Sequence, residues 1–271
     1  MKRIMNMIEI DNLTRSYGKI MAVDNLNLDV GEGEIFGLLG PNGAGKSTVI
    51  KMLTTLLPPT SGKAVINGCD VATQPTRVRA SIGYVPQLLS VDGALTGHEN
   101  AIIFAKLYDV PRAEVKKRAA EALEFAGLTS EAGRQVSSYS GGMIRRLEIA
   151  MAMIHRPRVL FLDEPTVGLD PIARHDVWTQ IRKLSGEYDM TVLFSTHFMD
   201  EADELCGRVA IMNLGKLAAV GSPEKLKTAL GRKDATLDEV FAHYTGSNLG
   251  NGYERNNGSI SKTSGELARL G

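Results

Sequence analysis

The feature that most constrains this sequence is a glycine-rich stretch at residues 40–48, which directly follows an apolar run. Residues 34–39 are almost continuously apolar, as expected of a strand that is buried on both faces of a parallel sheet. The stretch that follows fits the pattern GxxxxGK[ST] and leads into a helical pattern near Ser47. A glycine-rich turn between a buried strand and a helix predicts a backbone cradle for phosphate groups.

Each residue type in this stretch has a physical role in the predicted phosphate site. Glycines let backbone N–H groups close around phosphate oxygens, and the start of the helix adds its positive end. Lys46 is expected to reach the β- and γ-phosphates, and the Ser47 hydroxyl to ligate Mg²⁺. The predicted nucleotide-binding residues here are Gly40, Pro41, Asn42, Gly43, Ala44, Gly45, Lys46, Ser47 and Thr48.

A second apolar run, at residues 159–162, ends in two adjacent carboxylates, Asp163 and Glu164. The carboxyl ends of parallel strands are where α/β proteins bind their ligands. We therefore expect Asp163 to hold Mg²⁺ through water, and Glu164 to orient and polarise an attacking water molecule. A single aspartate at a strand end is often only part of an acidic turn, whereas the Asp-Glu pair favours nucleotide hydrolysis.

The remaining pattern predicts an α/β fold. Further buried strands are expected at 191–195 and 209–212, and helices alternate with them, which predicts a doubly wound inner sheet. Alternating apolar and polar residues at 8–10 and 26–30 predict antiparallel strands.

A helix-rich insert is predicted at about residues 88–142. It contains an amphipathic helix at 112–125, with Pro111 near its start as a first-turn proline. We expect one domain over residues 1–225 and a C-terminal extension over 226–271. Glycine, asparagine and serine are frequent from about residue 246, which predicts a mobile tail.

Charge and cysteine content exclude several classes of protein. Lys+Arg 31 and Asp+Glu 31 balance, so a partner bound through a large basic excess is not expected, and we predict no nucleic-acid partner. Cys69 and Cys206 are the two cysteines and form no CxxC pair, so no zinc site is predicted. No apolar run is long enough to span a bilayer, and no signal peptide is recognisable.

Five further motifs resemble those of ATP-binding cassette (ABC) ATPases. Ser140-Gly141-Gly142, followed by a helical pattern, resembles the family's signature motif. Together with the phosphate loop and the acidic pair, the motifs stand in family order over about residues 8–225. The other similar positions are Tyr17 (the aromatic residue that stacks on adenine), Gln87 (the loop glutamine), Gly168-Leu169-Asp170 (the dimer-contact loop) and His197 (the switch histidine).

The resemblance implies a P-loop NTPase (RecA-like) core with an N-terminal antiparallel β subdomain and an α-helical subdomain. It implies that ATP is bound with Mg²⁺ and hydrolysed. The signature differs from the usual Leu-Ser-Gly-Gly-Gln at Tyr139 and Met143, which we expect to alter only the rate. The implied catalytic residues are Lys46, Gln87, Glu164 and His197, the Mg²⁺ ligands Ser47, Gln87 and Asp163, and the additional ATP contacts Tyr17, Ser140, Gly141, Gly142 and Asp170.

The resemblance also implies partners. The family binds ATP between the phosphate loop of one ATPase domain and the Ser-Gly-Gly of another, and this chain has one copy of each. A second copy or a paralogue is therefore expected. Residues 87–100 resemble exporter-type ATPases that work with a separate membrane permease, which implies a place at the cytoplasmic side of the cell membrane, held through that permease. An importer subunit, or a soluble ABC ATPase acting on ribosomes or DNA, is the alternative.

Overall fold

The computed structural model describes residues 6–232 and 234–246, and its strands form two sheets. The strands are β1 (Asn6–Tyr17), β2 (Ile20–Gly31), β3 (Ile35–Leu39), β4 (Ser61–Ile66), β5 (Cys69–Asp70), β6 (Ile82–Val85), β7 (Val159–Asp163), β8 (Thr191–Thr196), β9 (Arg208–Asn213) and β10 (Lys216–Gly221). The helices are α1 (Lys46–Leu53), α2 (Pro75–Ser81), α3 (Gly97–Leu107), α4 (Val115–Phe125), α5 (Gly141–Ala152), α6 (Pro171–Tyr188), α7 (Met199–Leu205), α8 (Pro223–Thr228) and α9 (Leu237–Thr245).

The larger sheet places the predicted site. Its strand order is β10-β9-β3-β8-β7-β6, and all neighbours are parallel except β10, which runs antiparallel to β9. The buried strands predicted around residues 34–40, 159–162, 191–195 and 209–212 are confirmed as β3, β7, β8 and β9. Since β8 lies between β3 and β7, the loops that follow these three strands open on one edge of the sheet.

The smaller sheet is antiparallel, with the order β2-β1-β4-β5. The predicted antiparallel strands at 8–10 and 26–30 are confirmed, since Ile8 pairs with Val30 and Ile10 with Leu28. The strands extend well beyond these segments, because bulges let β1 and β2 remain paired as far as Tyr17 and Ile20. The inner face of this sheet shares a core with the apolar face of α1.

A layer of helices lies between β6 and β7 in the sequence. Helices α3, α4 and α5 bury a separate core that includes Ala101, Ala119 and Leu147. The predicted start of α4 is wrong. The helix begins at Val115, because residues 112–114 form a turn in which the N–H of Glu114 donates to the Pro111 carbonyl (2.7 Å), so Pro111 lies outside the first helical turn.

The chain returns to the larger sheet at its C-terminal end. Leu237 and Val240 of α9 are buried in the core that also contains Ile211 and Ala202. Thr236 and Glu239 form a capping box that fixes the start of α9. The tail predicted from about residue 246 lies, beyond Gly246, outside the described residues. Within residues 6–232 and 234–246, no helix has both the length and the apolar character needed to cross a membrane.

Candidate functional site

The loop between β3 and α1 closes tightly at two glycines. A Cβ at Gly40 would lie 2.4 Å from the Met212 carbonyl oxygen, and one at Gly45 would lie 2.4 Å from that of Ala22. Gly45 also has φ 103°, a conformation that side chains disfavour. These contacts allow α1 to begin at Lys46, as expected, with free backbone N–H groups at its start directed to the loop.

Lys46 folds back over this loop. Its Nζ donates to the carbonyl oxygens of Gly40 (2.7 Å) and Pro41 (3.2 Å). The same Nζ lies 3.0 Å from Oε1 of Glu164, and both side chains are buried. The ammonium group therefore sits between the phosphate loop and the end of β7.

Glu164 occupies a constrained position directly after β7. Its φ is 52°, in the left-handed region that non-glycine residues seldom adopt. The backbone N–H of Glu164 donates to Oγ of Ser195 (3.0 Å), which holds the peptide in place. Its Oε2 lies 2.6 Å from Nδ1 of His197, the residue that directly follows β8. One buried carboxylate thus contacts both the lysine and the histidine predicted to act in catalysis.

Asp163 and Ser47 are hydrogen-bonded to each other next to Lys46 and Glu164. Oδ1 of Asp163 accepts hydrogen bonds from Oγ of Ser47 (3.0 Å) and Oγ of Ser195 (2.6 Å). Burial, together with the negative charge of Asp163, raises the pKa of Tyr84 to about 12. The hydroxyl of Ser47 at the start of α1 and the carboxylate of Asp163 at the end of β7 are hard oxygen donors, and such donors fit Mg²⁺ bound together with phosphate oxygens.

A cleft of about 550 Å³ opens over these residues. Gln87, in the exposed loop after β6, and Glu164 both line it. Tyr17 does not line it but lies at the β1–β2 turn, with the Arg15 guanidinium 4.7 Å from its ring centroid. The other lining residues are Ile20, Met21, Ala22, Asn42, Gly43, Ala44, Gly45, Lys46, Ser47, Thr48, Leu214 and Gly215.

The Ser-Gly-Gly motif and Asp170 lie together, outside this cleft. Ser140 caps α5 and accepts from the N–H of Met143 (3.3 Å), while Asp170 caps α6 through the N–H groups of residues 172 and 173. A Cβ at Gly142 would lie 2.6 Å from that of Ala173, so the two helix starts adjoin. Ser140 and Asp170 are both exposed. The predicted site residues therefore form two separate groups on one chain.

Two residues that we did not predict hold the Gln87 loop. Arg145 donates to the carbonyl oxygens of Pro86 (2.9 Å) and Gln87 (3.1 Å) and pairs with Glu148 (3.1 Å). Oε1 of Glu148 accepts from both the backbone N–H and the hydroxyl of Ser90 (2.6 and 2.9 Å). Arg145 and Glu148 fall on the buried stripe of α5, and buried charged groups need polar partners. That placement is the sequence signal that could have identified them.

A second group that we did not predict joins the loop after β7 to α7. Oε1 of Glu201 accepts from Oγ1 of Thr166 (2.9 Å) and from Nε1 of Trp178 (3.0 Å). Glu201 is fully buried, and this burial raises its pKa. The cluster lies between the segment that leads to Asp170 and the segment that follows His197.

The chain has a mostly parallel sheet that carries a phosphate loop and, at its edge, the hydroxyl–carboxylate pair of Ser47 and Asp163. The Glu164 carboxylate lies within reach of a lysine and a histidine. These features define a P-loop nucleoside triphosphatase. The sequence profile of the ABC transporter family matches residues 23–167. The chain belongs to this family.

Curated relatives agree with this assignment. The linearmycin resistance ATP-binding protein LnrL of Bacillus subtilis is 40% identical over 225 residues, which is 83% of this chain and 72% of the relative. The daunorubicin/doxorubicin resistance ATP-binding protein DrrA of Streptomyces peucetius is 45% identical over 224 residues, 83% of this chain and 68% of the relative. The Nod factor export ATP-binding protein I of Sinorhizobium fredii is 42% identical, over 81% and 64% of the two chains.

Solved structures share the fold. The ATP-binding subunit of an ABC transporter superposes with a TM-score of 0.78 at 29% identity, covering 88% of this chain and 99% of the other. The ATP-binding cassette MJ0796, solved as a dimer in a post-hydrolysis state with ADP and phosphate, gives a TM-score of 0.71 at 29% identity and covers 80% and 98% of the two chains. These likenesses support the RecA-like core with its antiparallel and helical parts.

Proposed function

We propose that this chain is the subunit of an ABC exporter that binds and hydrolyses ATP. The observation that carries the proposal is the buried carboxylate of Glu164, which lies 3.0 Å from Nζ of Lys46 and 2.6 Å from Nδ1 of His197 at the mouth of the phosphate loop. A carboxylate held in this way has the position and the fixed orientation that water activation requires.

The reaction follows from these positions. Water attacks the γ-phosphorus, the bond to the oxygen bridging the β- and γ-phosphates breaks, and ADP, phosphate and the proton lost by the water are released. Glu164 orients the attacking water through a hydrogen bond, Lys46 moves from Glu164 to the phosphates, and His197 holds Glu164 in place. Mg²⁺, when bound with the phosphates, neutralises part of their charge, and Ser47 and Asp163, with Gln87 nearby, are the residues that would hold it.

In this proposal, the Ser-Gly-Gly motif and Asp170 contact the nucleotide that is bound to a partner chain, not the one bound to their own chain. Ser140 and Gly141, at the start of α5, are exposed and do not line the cleft of their own chain. A helix start with a serine cap favours bound anions. We infer that Ser140, Gly141, Gly142 and Asp170 complete the site of a partner ATPase domain, which binds head to tail, and that hydrolysis separates the pair.

The permease is expected to bind beside Gln87. Leu88 and Leu89 follow directly and are 82% and 61% exposed, although large apolar side chains are usually buried. Two adjacent exposed leucines on a loop fixed by Arg145 suit an apolar helix or loop of a membrane protein. Through this contact the subunit would lie at the cytoplasmic side of the membrane.

Export is favoured over import by the names of the relatives. One is a Nod factor export ATP-binding protein, and two others are resistance proteins for linearmycin and for daunorubicin or doxorubicin. We infer a drug-like, antibiotic, lipid or oligosaccharide cargo, which passes through the permease.

Co-purification tests this proposal directly. A tagged Glu164→Gln variant should retain ATP and, with MgATP present, bring down a polytopic membrane protein from detergent-solubilised membranes in near-stoichiometric amount. The same variant carrying Leu88→Ser and Leu89→Ser should lose that partner while still binding ATP. Ribosomal or DNA-binding proteins in place of a membrane protein would contradict the exporter assignment.

A further inference from the structure

The hairpin between β9 and β10 contains an unusual residue. Its two-residue turn consists of Leu214 (φ 48°) and Gly215 (φ 79°), both in the left-handed region. A turn with two such residues is of the type that favours asparagine, aspartate or glycine at its first position. Leucine has no side-chain group that can stabilise this conformation, so the choice of leucine works against the local fold.

The position of this turn is fixed. The N–H of Gly215 donates to the Ala44 carbonyl (3.1 Å) in the phosphate loop, and its carbonyl accepts from the N–H of Asp24 in β2 (2.9 Å). A Cβ at Gly215 would lie 2.9 Å from the Ala22 carbonyl oxygen. The turn is therefore attached to both sides of the nucleotide cleft, and Leu214 is held at its mouth.

Leu214 shares this mouth with two other exposed apolar residues. Leu214 is 80% exposed, Ile20 70% and Met21 48%, and all three line the cleft that contains Lys46. Ile20 pairs directly with Tyr17 across the β1–β2 hairpin. Three exposed apolar side chains thus line the same cleft as the phosphate loop, and Tyr17 is the strand partner of one of them, Ile20.

We propose that Leu214 contacts the base of the bound nucleotide and, with Ile20 and Met21, forms an apolar wall that binds the purine ring. The inference rests on the proposed ATP-binding function and extends it to a residue that the sequence motifs do not include. With the phosphates in the loop beside Lys46, the base would lie against these three side chains, which line the same cleft. The three side chains offer no polar group, so they bind the ring through apolar contact rather than through base-specific hydrogen bonds.

The substitution Leu214→Asn separates this role from a purely structural one. Asparagine suits the turn better than leucine, so the melting temperature should stay the same or rise. The Kd for MgADP, measured by isothermal titration calorimetry on the full chain, should increase about three- to tenfold because part of the apolar contact is lost. The Kd for magnesium pyrophosphate, which has no base, should not change. Leu107→Asn, at an exposed leucine outside the cleft, is the matched control and should leave both values unchanged.

Two results would overturn the inference. One is an unchanged Kd for MgADP in Leu214→Asn and in Leu214→Gly, a second variant that the turn accommodates. The other is equal weakening of MgADP and pyrophosphate, which would show that the hairpin acts through the phosphate loop. A wild-type chain that binds neither probe would instead contradict the proposed ATP-binding function.

Discussion

Nζ of Lys46 lies 3.0 Å from Oε1 of Glu164, and both side chains are buried. The group expected to bind phosphate is thus paired with the group expected to orient water. His197 contacts the other oxygen of the same carboxylate, at 2.6 Å. A change at any of the three therefore alters the environment of the other two.

Replacing Lys46 by alanine should abolish hydrolysis. The variant loses the cation for the phosphates and leaves the Glu164 carboxylate buried with His197 as its remaining side-chain partner. We expect at least a 100-fold loss of phosphate release, as is typical for removal of an electrostatic group at such a site, and a loss of up to about 3 kcal/mol in unfolding free energy. Lys183→Ala, at an exposed lysine, is the control. Near-wild-type hydrolysis by Lys46→Ala would contradict the phosphate-loop assignment.

The Glu164→Gln substitution should separate binding from hydrolysis. The amide keeps the size of the side chain but orients water poorly, so turnover should fall by about 100-fold or more while ATP remains bound. Light scattering should then detect dimers at saturating MgATP. Glu187→Gln, at an exposed glutamate, should behave as wild type. A Glu164→Gln chain that stays monomeric would speak against closure around ATP by two copies of this chain.

Mixing two inactive variants tests whether two chains share each site. Lys46→Ala damages the phosphate loop, and Ser140→Arg blocks the exposed start of α5. In an equimolar mixture, random pairing leaves about a quarter of all composite sites intact, so ATPase activity should reappear although each variant alone is inactive. If mixing restores nothing, Ser140 does not complete the site of a second copy.

Stability should respond to pH through Glu201. Burial raises the pKa of Glu201 in the folded chain above its usual value of 4.5, so between these two values the folded state binds more protons than the unfolded state. Its contribution to stability is therefore full at low pH and declines as pH rises. Glutamine at this position removes the titration and can still accept from Thr166 and Trp178. The melting temperature of Glu201→Gln minus that of wild type should increase from about pH 4 to pH 8, and a flat or falling difference would refute this account.

Local patterns in the sequence were sufficient for much of the fold and for the candidate site. The phosphate loop and the strands before it and before Asp163 depend on residues that are neighbours in the chain, so periodicity and turn chemistry reveal them. Helix α4 begins three residues after its predicted start at residue 112, because the carbonyl of Pro111 is used in a turn that no apolar periodicity indicates.

Contacts between distant segments were not predictable in the same way. Arg145 reaches the Gln87 carbonyl across 58 residues of sequence, and Gly215 reaches the phosphate loop across 171, the difference between its number and that of Ala44. Neither contact leaves a local pattern, because each depends on how the sheet orders its strands. The position of Leu214 at the cleft depends on the same long-range contact of Gly215, so the sequence alone does not indicate it.

The bonds from Arg145 and Glu148 to the loop at residues 86–90 have a mechanical consequence. They tie both ends of that loop to α5 through hydrogen bonds to charged side chains, and such bonds are stronger than those between neutral groups. The loop that carries Leu88 and Leu89 is thus tied to the helix that Ser140 caps. Displacing the two leucines without moving α5 would require these hydrogen bonds to break.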